Sequence, residues 1–75
     1  SSKVRIEGHC DERGTREYNL ALGEKRANVV SELLQVNGVS SSSITTVSYG
    51  EEKPVAYGSN ESSWSKNRRA VVKVL

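Results

Sequence analysis

The stretch EGHCDERGTREYN, residues 7–19, joins a strand pattern to a helix pattern and carries the chain's single histidine and single cysteine among several charged residues. In and before it, Val4, Ile6 and Gly8 alternate with charged and polar residues. Such alternation predicts a strand over residues 3–9 that has one buried and one solvated face. A strand buried on both faces would instead be a continuous apolar run, so we expect helices on only one side of the sheet.

After a polar turn, the sequence takes on helical periodicity over about residues 16–37. Thr15 is a candidate N-cap for this helix, and Asn37-Gly38 matches a C-terminal stop. The face predicted to cover the sheet is an apolar stripe at helical spacing: Leu22, Val29, Val30, Leu33 and Leu34. Gly23 interrupts the helix at a cost of about 1 kcal/mol relative to alanine, which indicates close packing or a special first turn.

The remaining residues predict two more strands, over about 44–49 and 69–75, separated by a long loop at 50–67. One helical turn is expected inside that loop, near residues 61–66. A loop this long is uncommon in a small domain and usually serves a function. The order strand, helix, strand, loop, strand predicts an α/β (α+β) fold, a two-layer sandwich with a mixed sheet and helices on one face. Because one helix over three strands gives a lean core, we expect a preceding strand and helix to complete the domain.

The composition is that of one small folded domain. The chain has 75 residues, of which 35% are hydrophobic and 27% charged, and this balance is not that of a disordered chain. Eleven Lys and Arg against nine Asp and Glu give a net charge of +2, too small by itself to indicate a nucleic-acid partner. No apolar run approaches the roughly 18 residues that span a bilayer. The single cysteine cannot form an internal disulfide.

His9 and Cys10 raise the question of a metal or catalytic site, and the sequence argues against both. Zinc sites need three or four ligands, and the chain has one histidine and one cysteine. Adjacent residues on a strand point to opposite faces, so this pair cannot act together as a nucleophile and its base. We expect no metal, no cofactor and no catalytic residue, and the chain is predicted not to be an enzyme. His9 is expected on the solvated face, and Cys10 as a small buried apolar residue.

Asp11 and Arg26 form a stronger candidate for a site. Asp11 stands where the first strand ends, and ligands of α/β units collect outside the carboxyl ends of strands. Arg26 falls in the middle of the predicted apolar stripe, where a charge is costly unless it is paired or reaches out of the core. Helical side chains lean towards the N-terminus of their helix, which carries the guanidinium back towards the Asp11 turn.

The spacing leaves several interpretations of this pair open. Arg26 lies roughly 10 Å along the helix from Asn19, so a gap can remain between its guanidinium and the Asp11 carboxylate. A small zwitterion would fill that gap, with its ammonium on Asp11 and its carboxylate in a forked pair with Arg26. The alternatives are an internal Asp11–Arg26 ion pair, an arginine whose tip reaches water, or a turn aspartate bonded only to nearby backbone.

The segment SKNRRAVV, residues 65–72, is a weaker signal, for nucleic-acid binding. Lys66, Arg68 and Arg69 are basic, and aromatic residues elsewhere in the chain could stack on bases. Acidic residues are interleaved throughout, however, and no nucleic-acid recognition motif is present. We expect no nucleic-acid partner and predict that Trp64 is a packing residue that holds the long loop.

Two longer stretches resemble a known family: GHCDERGTREYNLALGEKRANVV at 8–30 and VSYGEEKPVAYGSNESSWSKNRRAVV at 47–72. Together they are similar to the OmpA-like peptidoglycan-binding domain, and most similar to its lipoprotein version. The resemblance covers nearly the whole chain and is far more specific than a short motif. The residues that carry it are Asp11, Gly14, Asn19, Leu22, Arg26-Ala27, Gly50, Pro54 and Asn67-Arg68-Arg69.

The resemblance implies non-covalent binding of peptidoglycan through the meso-diaminopimelate of its stem peptide. By position in the family pattern, Asp11 would take the ammonium of that residue and Arg26 its carboxylate. The supporting pocket residues implied in the same way are Thr15, Asn19, Leu22 and Arg68.

The resemblance also implies a cellular context. It places the domain in the periplasm of a Gram-negative cell, where it tethers the outer membrane to the cell wall through a lipid anchor upstream of this chain, with TolB as a partner. Two alternatives stay open: a protein-interaction module of the Tol assembly, or the wall-binding domain of a stator or porin-type protein. The chain departs from the family at Cys10, where threonine is usual, and at Ala21, where serine is common. It is also expected to lack the family's first strand and helix.

Overall fold

The computed structural model describes residues 3–75, which fold into strands and helices in the predicted order. The elements are β1 (Val4–His9), α1 (Arg16–Val36), a short 3₁₀ turn (Ser41–Ser43), β2 (Ile44–Gly50), α2 (Glu61–Asn67) and β3 (Arg69–Val74). The strands and α1 end within one residue of the predicted bounds, whereas α2 has seven residues rather than a single turn. Within residues 3–75, no helix has the length and hydropathy needed to cross a bilayer.

The strands form one mixed sheet in the order β2-β1-β3. β1 runs parallel to β2, with Val4 opposite Ile44, and antiparallel to β3, with Val4 opposite Val74. The parallel pair requires a long crossover, and α1 supplies it. The register between β1 and β2 shifts after Gly8, so that His9 lies opposite Gly50. This bulge falls at the sheet edge from which the Asp11 turn leaves.

The close approach of α1 to the sheet explains Gly23. A Cβ built on Gly8 would lie 1.7 Å from the carbonyl oxygen of Gly23, so the backbones of β1 and α1 are in direct contact there. No side chain larger than hydrogen fits at Gly8, and the contact at Gly23 is tight. Of the two explanations for Gly23 that the sequence allows, close packing is the one observed.

The predicted buried face of α1 is wrong in part. The buried residues of the helix are small or polar and recur every four positions: Asn19, Gly23, Ala27 and Ser31. Val29 and Leu33 from the predicted stripe are 65% and 60% exposed. The contact at Gly23 sets the rotation of the helix, because only small side chains can approach a backbone that closely. Arg26 therefore lies half-buried at the side of the contact rather than in its middle.

The prediction that His9 lies on a solvated face is also wrong. On the sheet face opposite α1, His9 is 2% exposed and its ring stacks on Tyr49 with centroids 5.4 Å apart. Glu7 is buried beside it, with Oε2 lying 3.2 Å from Arg5 Nε and 3.5 Å from Lys73 Nζ. Alternation predicts which face a residue occupies, but long side chains on neighbouring strands can cover that face without a second helix.

Candidate functional site

The turn after β1 is built from short-range hydrogen bonds. The backbone N–H of Cys10 donates to the carbonyl of Gly50 at 2.8 Å, which fixes the point where the chain leaves the sheet. The Oδ1 atom of Asp11 then accepts the backbone N–H of Arg13 at 3.0 Å, forming an Asx-type turn. Gly14 has a φ of +92°, which favours glycine. Thr15 caps α1 because its Oγ1 accepts the N–H of Tyr18 at 3.1 Å.

Asp11 lies at the centre of a network of cations. It is 7% exposed, and Arg13 forms a forked pair with it through Nε to Oδ1 at 3.2 Å and Nη2 to Oδ2 at 2.9 Å. Arg68 donates from Nη1 to Oδ2 at 3.1 Å. The side-chain hydrogen bonds from Arg13 hold the pKa of Asp11 well below its usual range, and they outweigh the opposing effect of burial. The carboxylate therefore stays ionised at any physiological pH.

Arg26 reaches the same end of β1 without pairing with Asp11. Its Nη1 donates to the carbonyl of His9 at 2.8 Å and to Sγ of Cys10 at 3.3 Å, immediately before Asp11 in the chain. Within residues 3–75, the ion-pair partners of Asp11 are Arg13 and Arg68. The internal Asp11–Arg26 pair that the spacing allowed is thus absent from these residues, and the guanidinium is anchored to the backbone rather than reaching freely into water.

Asn19 ties the Asp11 turn to the loop after β2. It is buried, and its Nδ2 donates to the carbonyl of Arg13 and to Oε1 of Glu51, both at 2.9 Å. The thiol of Cys10 donates to the carbonyl of Asn19 at 3.2 Å, and burial raises the pKa of this thiol. Cys10 is buried, as the sequence predicts, and acts as a small donor inside the turn.

A cleft of about 110 Å³ opens beside this turn, between three segments that are distant in sequence. It is lined by Cys10, Glu12, Glu51, Pro54, Ala56, Tyr57, Gly58 and Asn67. Two of these residues are carboxylates, so the cleft favours a cationic group. Asp11 and Arg26 do not line it, although Cys10 and Glu12 flank Asp11 directly. Leu22 lies apart, in a shallow depression with Tyr18, Ala21 and Lys25.

α2 closes the site from the other side. The Nε1 atom of Trp64 donates to Oε1 of Glu12 at 3.0 Å, and the guanidinium of Arg13 lies 4.2 Å above the indole ring. Arg68 pairs with Glu61 as well as with Asp11. Trp64 therefore holds α2 to the Asp11 turn, whereas the sequence predicted only that it packs the long loop.

Several site residues have weak or no signals in the sequence. Arg13 could have been found, because a residue two positions after a turn aspartate meets its side chain in an Asx turn. Asn67 belongs to the motif that carries the family resemblance but was given no role there, and Glu51 carries no local signal, since both reach the site only through the tertiary fold. Among residues 3–75, no three His, Cys, Asp or Glu side chains cluster closely enough to hold a metal ion.

Comparison with family models gives a match to the OmpA family over residues 1–68. The chain belongs to the OmpA family. This match confirms the family resemblance read from the two long stretches of sequence.

Relatives within the OmpA family are similar over almost the whole chain. The peptidoglycan-associated lipoprotein of Buchnera aphidicola is 57% identical over 72 residues, which is 96% of this chain and 42% of the relative. The crystal structure of the peptidoglycan-associated lipoprotein from Burkholderia pseudomallei superposes with a TM-score of 0.96 at 50% identity, covering 99% of this chain and 63% of that one. The resemblance to the lipoprotein version of the domain is confirmed.

A more distant structure shares the fold alone. The C-terminal domain of Helicobacter pylori MotB superposes with a TM-score of 0.89 at 23% identity, covering 99% of this chain and 57% of that one. The predicted α+β class with a mixed sheet is thus confirmed. The chain spans less than half the length of the curated relatives it matches.

Proposed function

We propose that this chain binds peptidoglycan without breaking any bond, and that the protein containing it tethers the outer membrane to the cell wall. The relatives named peptidoglycan-associated lipoprotein support this proposal. The observation that carries it is the placement of two opposite charges at the end of β1. Asp11 is an ionised, buried carboxylate. Arg26 is a half-buried guanidinium anchored to His9 and Cys10, the two residues just before Asp11.

The proposed ligand group is the meso-diaminopimelate of the peptidoglycan stem, which ends in an ammonium and a carboxylate. Asp11 accepts the ammonium, and the carboxylates of Glu12 and Glu51 in the adjacent cleft add to the attraction for a cation. Both hydrogen bonds of Arg26 to residues 3–75 come from Nη1, so the edge formed by Nε and Nη2 is left for the ligand carboxylate. Asn19, Thr15 and Arg68 hold the turn that presents Asp11.

On this proposal the protein works in the periplasm of a Gram-negative cell, anchored at the outer membrane, and TolB is its protein partner. Identities of 50–57% to peptidoglycan-associated lipoproteins, against 23% to MotB, favour the lipoprotein role over that of a stator. No step of this role needs a nucleophile or a general base, so the chain acts as a binding module.

Retention on intact cell wall tests the proposal. Purified protein is incubated with diaminopimelate-type and lysine-type peptidoglycan, and the bound fraction is measured after sedimentation. We expect retention on the first type only. Asp11→Asn and Arg26→Ala should each weaken retention about tenfold or more, because each removes a charged hydrogen-bonding group from the contact.

Lys25→Ala is the matched control, since it removes a positive charge from the neighbouring exposed position of α1. It should retain the wild-type affinity. If Asp11→Asn and Arg26→Ala bind as well as the wild type, the assignment of the pocket is wrong. Capture of TolB without any retention on peptidoglycan would instead favour the protein-interaction alternative.

A further inference from the structure

The carboxylate of Asp11 has no free acceptor position in this structure. Oδ1 accepts the backbone N–H and Nε of Arg13, at 3.0 and 3.2 Å. Oδ2 accepts Nη2 of Arg13 and Nη1 of Arg68, at 2.9 and 3.1 Å. An ionised carboxylate offers about four lone-pair positions, and these four N–H groups fill them. A ligand ammonium can therefore bind Asp11 only if one of the present donors leaves.

The three donor groups differ in how firmly they are held. The backbone N–H of Arg13 belongs to the turn itself and cannot leave without unfolding it. The side chain of Arg68 is 30% exposed and is held a second time by Glu61. The side chain of Arg13 is 53% exposed and has only the face of Trp64 as a further contact among residues 3–75. Of the two side chains, that of Arg13 is the more exposed and has no second carboxylate partner among residues 3–75, so it is the one that water can solvate when it leaves Asp11.

We propose that the Arg13 guanidinium is an internal competitor that occupies the ammonium position on Asp11 and swings out when a cationic ligand binds; this rests on the function proposed above. Its departure frees one lone pair on Oδ1 and one on Oδ2, which is the arrangement that a bridging ammonium needs. The backbone N–H of Arg13 and the side chain of Arg68 remain and keep the carboxylate in place.

This exchange makes Arg13 a specificity-determining residue. A neutral or acetylated amine cannot replace the charge that Arg13 supplies, so it leaves Arg13 in place and does not bind at Asp11. A primary ammonium can replace it, and its affinity is lowered by the free energy of displacing Arg13. Trp64 reports the event, because Arg13 lies against its ring and Trp64 is the single tryptophan of the chain.

The test measures both affinity and Trp64 fluorescence. Wild type, Asp11→Asn, Arg13→Ala and Arg13→Lys are titrated with a soluble muropeptide that carries meso-diaminopimelate and with the same muropeptide acetylated on that amine. Arg16→Ala is the matched control, because it removes an arginine that pairs with Glu52 rather than with Asp11. We expect Arg13→Ala to bind about two- to fivefold more tightly than wild type, the range for loss of one partly exposed competing ion pair.

The affinity of Arg13→Lys should fall between those of wild type and Arg13→Ala, and the affinity of Arg16→Ala should match the wild type. The emission of Trp64 should change on saturation of the wild type and should not change in Arg13→Ala. Binding that depends on Asp11 but weakens in Arg13→Ala, or a wild-type Trp64 signal that stays constant at saturation, would overturn the exchange while leaving the proposed function intact. Wild-type protein that does not bind the muropeptide at all would overturn both proposals.

Discussion

Asp11 and His9 lie two positions apart and meet opposite electrostatic environments. The Asp11 carboxylate accepts four N–H groups, so its charged form is strongly stabilised. The ring of His9 is also buried, and its nitrogens have no hydrogen-bond partner among residues 3–75, although Nε2 lies 3.5 Å from Oε1 of Glu7. Burial lowers the pKa of His9, with a further contribution from Arg69, and the nearby carboxylate of Glu7 only partly opposes this. Folding therefore favours the neutral form of His9.

This difference predicts that stability falls when the pH drops below about 6.5, the usual pKa of histidine. In that range the unfolded chain binds a proton at His9 more readily than the folded chain does, so acid favours unfolding. The stability is fully present above pH 6.5 and is lost as the pH falls towards the folded pKa. The slope for one proton cannot exceed about 1.4 kcal/mol per pH unit. Urea denaturation at several pH values between 8 and 5 measures this pH dependence of the free energy of unfolding.

His9→Gln is the control, because His9 is the single histidine of the chain. This variant should show no such slope between pH 7 and pH 5, whatever its overall stability. A wild-type free energy of unfolding that is flat across this range, or a slope that survives in His9→Gln, would contradict the prediction.

At the scale of the elements, one glycine contact fixes how α1 lies on the sheet. Gly8 and Gly23 bring the backbones of β1 and α1 together, and the neighbouring helix positions that face the sheet are occupied by Ala27 and Ser31. The larger apolar residues are displaced to the sides, so that Leu33 is mostly exposed. The helix is held by the fit of small residues and by the caps at its ends more than by a broad apolar stripe.

Alanine substitutions at the two glycines should therefore have unequal effects. A Cβ at Gly8 meets the backbone of Gly23, which cannot move without shifting α1, and we expect a loss of at least about 3 kcal/mol in the free energy of unfolding. A Cβ at Gly23 meets Oγ of Ser48 at 2.3 Å, the end of a side chain that can rotate, and the backbone oxygen of Gly8 at 3.0 Å, a tight contact that requires only a small shift. Because the helix preference of alanine over glycine partly offsets this contact, the loss at Gly23 should be smaller than at Gly8, about 1–2 kcal/mol.

Gly38→Ala serves as the comparison for Gly8→Ala. Gly38 has a φ of +98° but no atom within 4 Å of the added Cβ, so only backbone strain contributes, about 1 kcal/mol. Chemical denaturation of the three variants measures their free energies of unfolding and so ranks the three losses. If Gly8→Ala is no less stable than Gly38→Ala, the contact between β1 and α1 is looser than the structure has it.

At the scale of the whole molecule, the cleft exists only because distant segments meet. Its walls come from the turn after β1, the loop after β2 and the end of α2. Asn67 joins the last two of these. Its Oδ1 accepts the N–H groups of Val55 and Ala56, at 2.8 and 3.2 Å, and its Nδ2 donates to the carbonyl of Ala56 at 2.9 Å. One buried side chain thus holds a loop that has no regular structure of its own.

Asn67→Ala should loosen this loop and leave the sheet intact. The variant removes three hydrogen bonds to the backbone of the loop, and we expect a loss of about 1–3 kcal/mol in the free energy of unfolding. Amide hydrogen exchange should become faster at Val55 and Ala56 by a larger factor than at Ile6 in the centre of the sheet. Ser65→Ala is a control, because Ser65 is exposed on α2 and, among residues 3–75, its side chain bonds within that helix. Equal changes at all three amides would mean that Asn67 supports the whole fold rather than the loop.

Local sequence determined a large part of this protein. The alternation around Ile6, the cap at Thr15 and the stop at Asn37-Gly38 depend on residues close together in the chain, and these patterns predicted the order and bounds of the elements. The position of Asp11 at the end of β1 follows from the same local pattern. The spaced family motif was also sufficient to identify membership of the OmpA family.

Tertiary structure decided the features that depend on contacts between distant residues. Periodicity measures polarity along one helix, so it could not predict that Gly8 and Gly23 would set the rotation of α1. It also could not predict that the ring of Tyr49 and the long side chains of neighbouring strands would bury the sheet face of His9. The second cation on Asp11 comes from Arg68, 57 positions away, because folding returns β3 and the end of α2 to the edge where β1 ends. Such pairings depend on how distant segments pack together in the tertiary fold, and they cannot be predicted from the spacing of residues along the chain.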